Sequence, residues 1–562
     1  MINLTTNPFF LDKEAIAWVK STLASMTTAQ KAGQVLCPIG FTDDSHVLSH
    51  RLVDIGVGGM MYRPDSAVKT QQTHRTIQHM APIPLLLAAN TECGGNGLTF
   101  EGTSFGQPMA VSAAQDPEYA YRMGYTACAE GAAMGLNWSF APIVDINMDF
   151  HNPITNVRTF GSDPEQVLCC ASAYLRGAKE NHVAVAIKHF PGDGVDERDQ
   201  HIVTSVNSLD AEQWDKTYGY VYQNLIDQGA QTVMAGHIAL PCYASKEERF
   251  LPASLAKSLL TGLLREKLGF NGLISTDATP MVGFTAAMPR SKAIPTAIAA
   301  GADMILFNKD LDEDYRFLLD GIDSVIVTLD RLDEAVTRIL ATKAALGLHR
   351  KKELVPGVEA LNVVGCERHR RWARETADKA ITLVKDTQNL LPLSPDKTPR
   401  IYLNVIQKDT DPDNPVVRAW KALFEREGFH VTVRDRRVTV TVQDMGDLAA
   451  MSPEKKALMH EMYRSVEEAR KSTDLYVYIC NMENASNNTT LRLNWNVTFG
   501  LGDDAPWFVS EIPALMISTA YPYHLFDAPM VKTYINAYSG NEYYREAVME
   551  KLMGRKIFKP NI

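Results

Sequence analysis

Eight short apolar runs separated by longer amphipathic stretches dominate the first part of the chain. They are QVLCPI (34–39), GVGGMMY (56–62), PLLLAAN (84–90), LNWSFAP (136–142), VAVAIKHF (183–190), QTVMAGHI (231–238), GLISTDA (272–278) and ADMILFN (302–308). Continuous apolar runs are what parallel strands covered on both faces look like. Helix punctuation lies between them. Asp116-Pro117 supplies an N-cap and a proline at the first helical position. Ser162 with Glu165, and Asp210 with Gln213, have capping-box spacing. Gly229, Gly269 and Gly301 stand where helices would end before the next strand. The repetition predicts an α/β protein whose residues 1–350 form a (β/α)8 barrel of the TIM type.

Residues 351–399 read as a linker: KKELVPGVEALNVV, a helical WARETADKAITLVK, then NLLPLSPDKTPR. RIYLNVI (400–406), HVTVRD (430–435), DLYVYIC (474–480), ALMIST (514–519) and KTYINAY (532–538) then predict strands of a smaller open α/β sandwich domain over 400–562. This part holds no GxGxxG or phosphate-loop pattern, so no nucleotide role is expected. Arg492 and Trp495 in LRLNW admit two readings: contacts to the distal part of a substrate at the barrel mouth or, for Trp495, a place in the folded core.

Composition narrows the function classes. The chain has 562 residues and a net charge of −10 with no long basic run, so no nucleic-acid partner is expected. No apolar stretch reaches the roughly 18 residues of a membrane span, so no membrane association is expected either. The opening MINLTTNPFFLDKEAIAWVK lacks a basic end followed by an apolar block and does not read as a signal peptide. Eight scattered cysteines suggest reduced thiols in a cytoplasmic protein rather than a disulfide framework. In that compartment the NAS and NTT triplets at Asn484 and Asn488 carry no glycosylation meaning. Oligomeric state has no signature in the sequence.

In such barrels the chemistry sits where strands end and the following loops begin. Asn90, Glu92, Asp145, Lys188, His189, His237, Asp277 and Asn308 fall there. The densest segment is KHFPGDGVDERDQH, Lys188 to His201, which Pro191, Gly192 and Gly194 mark as a long loop. Its carboxylates at Asp193, Asp196, Glu197 and Asp199 invite a metal reading. Barrel metallohydrolases, however, usually add a His-x-His pair after the first strand, and here that strand gives VLCPIGFTDD. No metal is therefore expected. Acid–base chemistry by Asp199-Gln200-His201 fits better: in an extended loop residues i and i+2 point to one side, so the carboxylate can fix the imidazole's tautomer. An ordinary imidazole titrates near 6.5, suited to both giving and taking a proton. Asp277, at the end of the seventh run, is placed to attack an anomeric carbon opposite that donor.

Several long motifs in order carry a resemblance to glycoside hydrolase family 3, particularly its β-N-acetylglucosaminidase branch. They are AGQVL (32–36), ECGG (92–95), GLNWSFAPIVD (135–145), NVRTFGSDP (156–164), KHFPG (188–192), MAGHI (234–238), TDATPM (276–281) and ITLVKDTQNLLPL (381–393). The resemblance implies that Asp277 is the nucleophile and that His201 with Asp199 is the general acid/base dyad. It also implies that Arg158, Lys188 and His189 hold the sugar beside the cleaved bond. Asn90, Asp193, His237 and Met281 count among the substrate-binding positions. Family β-glucosidases often carry a Trp after the nucleophile, where this chain has Ala278. Two positions depart from the family pattern, Asn90 where Asp is usual and Asp193 where His is usual, and both bear on which sugar is bound.

The reading is a retaining hydrolase, without metal or organic cofactor, that releases a terminal β-linked sugar, N-acetylglucosamine first, from a small carbohydrate or glycoside. A β-glycoside phosphorylase or β-glucosidase of the same family is the alternative. A carbohydrate-binding protein whose catalysis has lapsed is the alternative of another class.

Overall fold

A computed structural model describes residues 2–482, 486–493, 495 and 504–558; Asn484 lies outside them. The chain divides into two compact units. The first holds Met1–Ser112, Asp116–Ala373 and residues 485–489; the second holds Ala113–Gln115, Arg374–Asn484 and Thr490–Ile562. The division at 373/374 falls inside the helix Glu367–Ala380. The segment read as a linker is thus shared: residues 351–373 cluster with the first unit and 374–399 with the second.

The first unit is a parallel barrel. Its strands are β1 (Leu36–Cys37, continued by Ile39–Gly40), β2 (Gly59–Tyr62), β3 (Leu86–Ala89) and β4 (Trp138–Ser139). They are followed by β5 (Ala184–Phe190), β6 (Thr232–Ala235), β7 (Leu273–Ala278) and β8 (Met304–Leu306). Seven fall within the predicted apolar runs, and the first strand oversteps its run by one residue, Gly40. Leu36–Cys37 pairs with β8 and Ile39–Gly40 pairs with β2, so the ring closes through the first strand. Pro38 separates the two halves because it has no N–H to give a ladder. Inside, Trp138 packs edge-on against Phe140 with centroids 4.7 Å apart and donates its indole N–H to Thr232 Oγ1 at 2.8 Å.

The helix signals hold with one shift. Asp116 caps Pro117–Ala133, and Asp210 with Gln213 forms a capping box. Pro164–Glu180 is capped by Asp163, which accepts from the N–H groups of Glu165 and Gln166, and not by Ser162. Pro164 takes the first helical position, which leaves the cap to the residue directly before it. Gly229, Gly269 and Gly301 have φ of +84°, +67° and +131°.

The second unit is a six-stranded sheet in the order 382–386, 533–536, 514–518, 475–480, 400–406, 430–433. The last five are parallel, and Thr382–Asp386 pairs antiparallel with Thr533–Asn536. This first strand corrects the helical reading of WARETADKAITLVK: the helix stops at Ala380, where Ile381 and Thr382 begin a stretch better suited to a strand. Trp495 packs edge-on against Tyr478 beside the sheet's core, in line with the folded-core reading, and Arg492 pairs with Asp527. All eight cysteines are free, and no helix among the described residues is long and apolar enough to cross a membrane.

Candidate active site

The loop after β5 runs from Pro191 to the short strand Ser205–Val206 and is held from several sides. Trp214 donates its indole N–H to Pro191 O at 2.8 Å, and the Tyr218 hydroxyl donates to Asp193 O at 2.7 Å. Gly194, with φ +103°, lets the chain pass so close to β4's loop that a Cβ there would stand 2.1 Å from Ile146 O. These anchors deliver Asp199 and His201 to the barrel mouth. Asp199 is fully buried and its Oδ1 meets His201 Nδ1 at 2.6 Å; the His201 ring is 21% exposed. The pair meets in a turn rather than in the expected extended segment. The His201 N–H donates to Asp199 Oδ1 at 2.8 Å, and the N–H groups of Ile202 and Val203 donate to Asp199 O. A carboxylate that binds the main chain two residues on closes such a turn, and here the same oxygen also receives the ring.

Asp277, at the end of β7, is 15% exposed and receives the Ala278 N–H at 2.7 Å. Burial works to raise its carboxyl, but the imidazoles of His189, His237 and His201 and the Ala278 N–H outweigh this and hold it below the ordinary carboxylate range. The following loop is tied to the dyad's loop, since Val282 N–H donates to His201 O at 2.9 Å.

Behind these groups lie two ion-pair clusters. Glu92 takes Arg158 through both carboxylate oxygens, at 3.0 and 2.9 Å, and Lys188 Nζ at 2.7 Å. Burial raises the Glu92 carboxyl, yet the two cations beside it win and push it far below its usual range. Lys188 also donates to Asn90 Oδ1 at 3.3 Å, so Asn90 joins the cluster through its carbonyl. In the second cluster Asp145 Oδ2 holds His189 Nδ1 at 2.7 Å, while Oδ1 accepts the main-chain N–H groups of His189 and Asp193 at 3.1 and 2.8 Å.

The sequence-predicted residues therefore divide. Asp277, His201, Asp199, His189, Lys188, Arg158 and Asn90 gather around the mouth. Asp193 is 2% exposed and sits beneath it, with its carboxylate oxygens accepting from Gly194, Asn152 and Gln200. Burial, with the charge of Asp145 nearby, pushes its carboxyl well above the usual range. Both of its carboxylate oxygens, expected to meet sugar, are engaged by the protein. His237 is likewise a support. Its Nδ1 meets Ser254 Oγ at 2.8 Å and its Nε2 meets Ala278 O at 3.0 Å, leaving no ring nitrogen for a substrate. Met281 is buried as the residue before the short helix Val282–Thr285. Glu92 and Asp145 stood out in the sequence only as polar strand ends. Gln200 gave no signal: it bridges the His237 N–H at 2.8 Å and Asp193 Oδ2 at 3.2 Å from inside the dyad.

A closed parallel barrel that gathers a lowered carboxylate at the end of one strand and an Asp-buttressed imidazole on the loop after another has the build of a barrel enzyme. The family model described as the glycosyl hydrolase family 3 N-terminal domain matches residues 27–342. The chain belongs to glycoside hydrolase family 3, whose enzymes break O-glycosidic bonds. It is 39% identical over 564 residues to a β-N-acetylglucosaminidase/β-glucosidase of Cellulomonas fimi, covering 99% of this chain and 97% of that one. Among solved structures it is similar to the β-glucoside phosphorylase BglX bound to 2FGlc, at 42% identity and TM-score 0.91, covering 99% of this chain and 97% of that one. The β-N-acetylglucosaminidase of Paenibacillus sp. str. FPU-7 shares the fold at 23% identity and TM-score 0.77, over 95% of this chain and 98% of that one.

Proposed function

We propose that this protein cleaves terminal β-linked glycosides with retention, through a glycosyl ester on Asp277. The observation that carries the reading is the joining of the loops after β5 and β7 at the mouth: Val282 bonds to His201, and His189 Nε2 lies 3.8 Å from Asp277 Oδ2. In the first step an Asp277 oxygen attacks the anomeric carbon. The glycosidic C–O bond breaks, its electron pair leaves with the oxygen, and His201 gives that oxygen its proton through Nε2. In the second step water attacks the same carbon, passes a proton to His201, and the ester electrons return to Asp277. Asp199 keeps Nδ1 engaged throughout and so reserves Nε2 for transfer. Arg158, Lys188, His189 and Asn90 supply donors and an acceptor to the sugar's hydroxyls.

The relatives' names support a gluco-configured sugar, with or without a 2-acetamido group. N-acetylglucosamine stays the first reading and glucose the alternative. A second acceptor is favoured by the likeness to a β-glucoside phosphorylase along 99% of the chain. After the first step His201 has lost its proton, and a neutral imidazole repels incoming phosphate less than a carboxylate base would.

The assignment is tested with a 2-fluoro β-glycoside bearing a good leaving group, followed by peptide mass analysis. The label is expected on Asp277; a label on any other side chain removes the nucleophile assignment. Running nitrophenyl β-glucoside and β-N-acetylglucosaminide with and without phosphate then names the sugar and the acceptor. A sugar 1-phosphate product replaces hydrolysis by phosphorolysis.

A further inference from the structure

The dyad carboxylate has a third donor from far along the chain. Asp199 Oδ1 is used twice by His201, through the main-chain N–H and through Nδ1. Its other oxygen, Oδ2, accepts the main-chain N–H of Asn487 at 2.7 Å, 288 residues away in sequence. Residues 486–489 belong to the same compact unit as the barrel. Asp199 has no exposed surface, so without Asn487 its second oxygen would lose a donor that water could not replace there. Two donors on one oxygen leave a carboxylate free to twist about its last bond. A donor on the second oxygen fixes the plane, and with it the direction in which His201 presents Nε2.

The turn that aims this N–H is specific. Asn487 has φ +68°, in the left-handed region, where asparagine is one of the few side-chain-bearing residues at home. We propose that Asn487 is a positioning residue for proton transfer: its main-chain N–H, presented by a left-handed turn, locks Asp199 and through it the acid/base His201. Proton donation then depends on the 486–489 turn being seated on the dyad. The inference rests on the acid/base role proposed above for His201.

Four variants compared over a leaving-group series test it, from dinitrophenyl β-glycosides to β-glycosides of unactivated alcohols. Asn487→Pro removes the N–H, and Asn487→Val keeps it but disfavours the left-handed turn. Both are expected to lose roughly tenfold or more in kcat/KM on unactivated leaving groups, the scale of a hydrogen bond to a charged group, and much less on dinitrophenyl substrates. Asn487→Gly keeps both the N–H and the turn and is expected to restore the parental profile. His201→Ala is the reference for a lost proton donor. Equal losses on all leaving groups in the Pro and Val variants, or no loss, overturn the positioning role if His201→Ala itself discriminates. If His201→Ala shows no discrimination, the acid/base assignment falls, and this inference with it.

Discussion

His189 stands between two carboxylates: its Nδ1 lies 2.7 Å from Asp145 Oδ2 and its Nε2 3.8 Å from Asp277 Oδ2. The buried Asp145 thereby fixes which face of the ring meets the carboxylate at the end of β7. It also accepts two main-chain N–H groups, of His189 and Asp193, which set the course of the loop beyond β5. Asp145→Asn keeps the shape but replaces an acceptor oxygen by a donor against one of these partners. A loss of roughly tenfold or more in kcat/KM is expected, with a lower Tm, since each orphaned buried donor costs about 1–3 kcal/mol. Parental kinetics together with a parental melting curve would show that Asp145 orients nothing.

The Glu92 cluster makes a pH-dependent contribution whose sign is fixed. Burial alone would raise the Glu92 carboxyl, but Arg158 and Lys188 hold it far below its unfolded value near 4.5. Such a group stabilises the fold fully above the unfolded value, and that stability is lost as the pH falls toward the native one. Glu92→Gln is therefore expected to cost about 3 kcal/mol at neutral pH, because it leaves two cations with a neutral partner. The gap between parent and variant should narrow below pH 5. Denaturant unfolding at pH 7 and pH 4 measures it, and a gap that widens on acidification contradicts the assignment.

The barrel was legible because a parallel strand covered on both faces writes itself as an unbroken apolar run. The place of Asp277 was legible because it stands one residue before its run ends, and the pairing of His201 because Asp199 is its near neighbour. What stayed hidden depends on pairing across the fold. Asp145 meets His189 over 44 positions and Glu92 meets Arg158 over 66, so the sequence marked them as strand-end polar groups without assigning partners. Asp193, a charged residue in a loop, looked like a ligand; only packing reveals that Asn152, Gly194 and Gln200 enclose it. The helix ending at Ala380 was overrun because its amphipathic pattern flows into Ile381–Val384, and pairing with residues 533–536 decides that segment's form.

Gln200 sits between the dyad residues yet faces inward. Its Oε1 takes the His237 N–H and its Nε2 reaches Asp193, so it links the dyad's loop to the support beneath Asp277. Gln200→Leu keeps much of the volume and removes both bonds. It is expected to lower kcat roughly tenfold or more, with a smaller change in KM, since misplacing a catalytic group by a fraction of an ångström acts on the transition state. Steady-state kinetics on an activated and an unactivated glycoside check this; a change confined to KM would place Gln200 in substrate binding instead.

Lys343 in the helix Leu329–Ala345 is wholly buried, and its Nζ donates to Gln34 Oε1 at 2.7 Å. Burial lowers it from the usual 10.5 to about 7. Between those two values the unfolded chain holds a proton that the native protein does not. Stability contributed at this position is thus expected to rise with pH from about 7 to 10, by on the order of 1 kcal/mol per pH unit at most. Lys343→Met removes the titration and leaves only the pH-independent loss of Gln34's partner. The unfolding free energy of the parent minus that of the variant should therefore climb steadily from pH 7.5 to 10. A difference that stays level across this interval would mean that Lys343 keeps its proton in the native barrel.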